Sequence, residues 1–183
     1  MTSKGENMSL QERFTEDELF HLTNAPYLVG SAMVFAEGSG LGTIKELYAN
    51  AKAFLNGAKK FSDNSVITSI LPQMEDAKAV REETKKFQSK AKEDFRARGI
   101  KSKEDMKAYA DEELQTALAT LAAKANDTEA SQYKEWILSI AENVANAAKE
   151  GGFLGFGGER ISEGEKEFYS KVASSMGLDA KLV

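Results

Sequence analysis

The stretch that most constrains this chain runs over 147–177 and reads AAKEGGFLGFGGERISEGEKEFYSKVASSMG. An alanine-rich helical pattern ends at Glu150, and a glycine-rich loop carrying Phe153, Leu154 and Phe156 follows. Ser162-Glu163-Gly164-Glu165 then reads as a capping box. In such a box the Ser hydroxyl and the Glu carboxylate each satisfy an amide that a helix start leaves unpaired. The stretch therefore predicts a helix–loop–helix unit. Residues 32–54, AMVFAEGSGLGTIKELYANAKAF, echo 144–173: an apolar helix, Glu-Gly, a glycine loop with Leu-Gly, a Thr or Ser cap and a helix with an aromatic residue.

The rest of the chain carries the same signals. Thr15-Glu16-Asp17-Glu18 is a capping box opening a short helix over 16–23, and Pro26 suits the first turn of a second helix over 26–37. Thr43-Ile44-Lys45-Glu46 opens another that Gly57 ends. Over 73–98 charges of both signs crowd in around a narrow apolar stripe, which predicts a long, largely solvated helix ended by Gly99. Ser102 caps the next helix, in which Met106, Tyr109, Leu114, Ala117, Leu118 and Leu121 recur at helical spacing. Asp127 or Thr128 caps a helix to Glu150 that buries Tyr133, Trp136, Ile137, Ile140 and Val144. Alternating strand patterns are absent, so the expected fold is all-α, a bundle of about six to eight helices. Its expected organisation is a mobile polar tail over 1–13 and one domain over 14–183. Within that domain, pseudo-repeats at about 26–57 and 129–177 are bridged by a charged middle over 73–125.

Composition narrows the function. A net charge of −5 gives nucleic acid no overall attraction, so nucleic acid is not an expected partner. No apolar run is long enough for a membrane span, and the first residues lack the apolar core of a signal peptide, so the expected location is cytoplasmic. With no cysteine and one histidine, His21, a thiolate metal site, a zinc–histidine site and a catalytic triad all lack their parts. Glu18 and His21 have the Glu-x-x-His spacing of di-iron bundles, but that chemistry needs the motif twice. His21 therefore reads as an ordinary helix residue. Neither a catalytic set nor a cofactor is expected, and an enzyme is the less favoured reading.

The run Arg160-Ile161-Ser162-Glu163-Gly164-Glu165, followed by Val172-Ala173 and Gly177-Leu178, resembles part of the TerB-like (tellurite-resistance-associated) helical proteins. Those proteins pair helices through loops that end in an Ile/Val-Ser/Thr-x-x-Glu helix start. Here Gly157-Gly158-Glu159-Arg160 stands where their Asp-Gly precedes that start, so their acidic loop is not carried over. The GGFLGFGG run also resembles one in small uncharacterised bacterial helical proteins. Both resemblances imply a helical fold.

The candidate contact residues are Gly151, Gly152, Phe153, Leu154, Phe156, Gly157, Gly158, Arg160 and Ser162. Large apolar side chains in a glycine loop either plug a core or meet a partner. The expected function is a non-enzymatic interaction or accessory protein that uses this loop on another protein or in self-association. The alternative is a small-ligand or anion binder with a pocket between the pseudo-repeats, where glycine loops precede helix starts.

Overall fold

The computed structural model describes residues 10–36, 59–70, 77–150 and 161–182. The described residues form helices and no strand, in keeping with the expected all-α class. In chain order they are α1 (Leu10–Arg13), α2 (Glu16–Ala36), α3 (Ser65–Ile70), α4 (Ala77–Ala97), α5 (Lys103–Lys124), α6 (Asp127–Glu150) and α7 (Glu163–Ser175). None of the described helices is long and apolar enough to cross a membrane.

Helix α2 is the centre of the bundle, with α5, α6 and α7 packed around it and α3 set against α6. It is apolar on most sides, as its sequence predicts, and buries Leu22, Leu28, Val29, Ala32, Met33 and Val34. Tyr27 is the exception and remains 43% exposed. From α6 come Tyr133, Trp136, Ile137 and Ile140, all fully buried, and from α7 Phe168 and Val172, with Met176 just past its end. Helix α4 lies at the margin. Among its described side chains the exposed ones greatly outnumber the half-buried ones, which include Phe87 and Phe95.

Three local expectations need correction. The two helices predicted on either side of Pro26 are one, Glu16–Ala36. Proline has no amide to give the carbonyl four residues back, which is normally a reason for a helix to break. Here that carbonyl belongs to Leu22, and the buried Tyr133 hydroxyl donates to it at 2.6 Å. A side chain 111 residues away thus fills the position that Pro26 cannot. The second correction is at α6, whose cap is Asn126 rather than Asp127 or Thr128. Asn126 Oδ1 accepts from the Glu129 amide at 2.9 Å, and Glu129 Oε2 accepts from the Asn126 amide at 2.9 Å. The third is at the N-terminus. Within the expected tail 1–13, Leu10–Arg13 forms a helical turn and Arg13 pairs with Glu129 at 2.7 Å. Residues 1–9 lie outside the described residues, as does the Thr43 capping box with the helix that it predicts in the first pseudo-repeat.

Candidate functional site

Of the predicted contact residues, Gly151, Gly152, Phe153, Leu154, Phe156, Gly157, Gly158 and Arg160 lie outside the described residues. Ser162 is described, and its hydroxyl is engaged in the helix start. It accepts from the Glu165 amide at 3.2 Å and donates to Glu165 Oε2 at 2.8 Å, while the Ser162 amide donates to the same carboxylate oxygen at 2.7 Å. Glu165 is buried by this arrangement, and so is Ile161, which seats the end of the loop on the core. In the first turn of α7, Gly164 lies so close to the end of α2 that a Cβ built on it would stand 2.6 Å from the Ala36 carbonyl oxygen. Only glycine permits that approach. It brings together the points where 151–160 and the stretch after Ala36, which holds the first glycine cluster, join the bundle.

A second group of polar side chains sits between α2, α4 and α5; sequence reasoning singles out His21, and Tyr109 only as a residue of the apolar face, and does not bring the group together. Glu113 is 1% exposed, in phase with Tyr109 and Ala117 on the apolar face of α5. Its Oε2 lies 2.8 Å from His21 Nδ1 and accepts from Asn24 Nδ2 at 3.2 Å, while Oε1 accepts from Arg98 at 3.5 Å. Asn24 also donates to the Tyr109 hydroxyl at 2.9 Å, and that hydroxyl donates to Asp94 in a short hydrogen bond. Arg98 closes the group, binding Asp94 at 3.1 Å and Glu112 at 2.7 Å, with its guanidinium 4.5 Å from the centre of the Tyr109 ring. Burial, then the bond to Asp94, pushes the Tyr109 hydroxyl well above its ordinary range, so it acts as a donor and not as a phenolate. A carboxylate orienting an imidazole is one part of a general-base arrangement. Here both oxygens of Glu113 are shared with Asn24 and Arg98, so the group joins three helices. Among the described residues no cluster of three or more His, Cys, Asp or Glu side chains has the arrangement of a metal site.

A third polar junction ties α1 and α3 to the start of α6. Arg13 forks onto Glu129, with Nη1 to Oε1 at 3.0 Å and Nη2 to Oε2 at 2.7 Å, and Ser65 adds a short hydrogen bond to Oε1. Buried Asn64 donates to the Glu129 carbonyl at 3.1 Å and to Gln132 at 3.0 Å, while its Oδ1 caps α3 through the Ile67 amide. The hydrogen bond from Arg13, then those from Ser65 and the Asn126 amide, hold the Glu129 carboxyl down at about 2 against the opposing effect of burial. Glu129 thus serves as cap and ion-pair partner at once.

No family model, curated protein or solved structure matches the chain.

Proposed function

We propose that this chain is a non-enzymatic helical interaction protein that meets another protein through the loop 151–160 and the pole of the bundle to which that loop is joined. The approach of Gly164 to Ala36 carries the reading, because both glycine-rich stretches meet the described structure there. The buried Ile161 and the closed Ser162–Glu165 cap give the loop a firm root. A few apolar anchors can carry most of the affinity of an interface, and Phe153, Leu154 and Phe156 are residues of that kind. The TerB-like kinship belongs to the same proposal, supported by the helix start at Ser162 that the resemblance implies.

The test pairs thermal melting with capture of binding proteins on wild-type protein and on Phe153→Ala and Phe156→Ala. The expected result is a specific bound species that at least one variant loses while its melting point stays within about 2 °C of wild type, a shift of well under 1 kcal/mol. Variants neutral in both assays would remove the loop from any functional role.

A further inference from the structure

Exposed charge is unevenly distributed between the helices. Residues 81–98 hold seven Lys/Arg and four Asp/Glu, a net +3, in a chain of net −5, so the remainder carries −8. On α4, Arg81, Lys85, Lys92 and Arg96 are all exposed and fall within about 60° of one another around the helix axis. Their stripe lies about 110° from the seam formed by Phe87 and Phe95 and extends about 22 Å along the axis. On α6, exposed Asp127, Glu135 and Glu142 form an acidic stripe on the side away from Tyr133, Ile137 and Ile140. None of the residues in either stripe takes part in an ion pair among the described residues.

The two stripes match in spacing. Lys85 and Lys92 are seven residues apart, and so are Glu135 and Glu142. Two helices side by side hold such pairs in register along their whole contact, since seven residues are close to two turns. The edges match as well. Glu82 and Glu93 border the basic stripe on its clockwise side, and Lys134 borders the acidic one on the opposite side. In a parallel alignment those edges face each other, and Lys134 comes near Glu82.

We infer that the basic face of α4 docks, in parallel, on the acidic face of α6 of a second copy of this chain. The bordering glutamates oppose a phosphate backbone, and no aromatic residue stands in the basic stripe to stack on bases, so a duplex or single strand fits the face less well. Pairs of this kind are individually weak and screened by salt, which makes the association reversible and dependent on ionic strength.

Sedimentation of the full chain tests this. Wild-type protein is expected to self-associate about tenfold more tightly at ~50 mM than at ~500 mM NaCl. Lys85→Glu with Lys92→Glu, and separately Glu135→Lys with Glu142→Lys, should each give a monomer at low salt, because each repels its own kind. An equimolar mixture of the two double variants should associate again, since each then offers the face that the other needs. All four positions are exposed on helices, and circular dichroism checks that the variants fold. A wild-type monomer at low salt and about 200 μM would overturn the inference, as would variants that still self-associate or a mixture that stays monomeric. Salt-sensitive binding of a short DNA duplex by a monomeric wild-type protein, lost on reversing Lys85 and Lys92, would assign the basic face to nucleic acid instead.

Discussion

Replacing Tyr133 by Phe removes one oxygen atom and leaves the shape of the core intact, so its effect isolates the hydrogen bond to Leu22. That carbonyl has lost its helical donor to Pro26, and the Tyr133 hydroxyl replaces it at 2.6 Å inside a fully buried site. Burial, and then the charge of Glu113, raise the pKa of this hydroxyl, so it stays protonated and able to donate well into the alkaline range. Tyr133→Phe leaves the Leu22 carbonyl buried without its donor, which costs about 1–3 kcal/mol. For a chain of this size that lowers the melting point by about 3–9 °C. In a Pro26→Ala background the new amide at position 26 can donate to Leu22 in the ordinary helical way. There Tyr133→Phe should cost less than about 1 kcal/mol, a coupling of about 1 kcal/mol or more between residues distant in sequence. Urea unfolding of the four proteins, followed by circular dichroism, measures it. Equal costs in the two backgrounds would refute the argument that Tyr133 substitutes for the missing amide.

Further expectations rest on the other junctions. Because the Glu129 carboxyl is held at about 2, below its ordinary 4.5, the stability it contributes is fully present above pH 4.5 and is lost as pH falls toward 2. Arg13→Ala should remove on the order of 2 kcal/mol at neutral pH and flatten that acid dependence, as urea titrations between pH 3 and pH 6 would show. Gly164→Ala should cost about 1–3 kcal/mol, because the added methyl meets a backbone carbonyl that cannot swing aside. Gly99→Ala, at a positive φ of 63° with open space around it, should cost about 1 kcal/mol through backbone strain alone, and thermal melts separate the two cases. Arg98→Ala should loosen α4 selectively: hydrogen exchange over Ala77–Ala97 should rise while α2 and α6 stay protected, and a uniform rise across the bundle would contradict a local role.

What could be read from the sequence was local. The capping boxes at Thr15 and Ser162 stand where the residue types place them, because their partners are three residues away. The buried faces of α5 and α6 follow directly from helical spacing. What escaped depends on residues far apart in the chain. Pro26 reads as a helix start by local rules, and the donor that stands in for its missing amide, Tyr133, is 111 residues from Leu22. Glu113 stands in phase with the apolar face of α5, but its partners His21 and Asn24 are 92 and 89 residues away. Arg13 reads as part of a polar tail because nothing near it in the sequence announces Glu129.

The polar group around Glu113 is best understood through α4. Among its described side chains, that helix meets the bundle through few apolar ones, chiefly Phe87 against Phe20 at 5.6 Å and the half-buried Phe95. Aromatic contacts of this kind do not by themselves fix how a helix is turned about its axis. Hydrogen bonds do, because they fail when donor and acceptor are moved by an ångström or two. Asp94 on Tyr109, and Arg98 on Glu112 and Glu113, lie one turn apart and grip α5, while Lys90 pairs with Asp17 at 2.5 Å and rests 4.4 Å from the centre of the Phe20 ring. A rotation of α4 by one residue, about 100°, would break these contacts together and carry the charges of the basic stripe toward the apolar seam. A buried glutamate contributes little to net stability even when well paired. Its placement here is accounted for by orientation: with Tyr109 and Asn24 it holds the seam of α4 inward and its row of arginines and lysines outward.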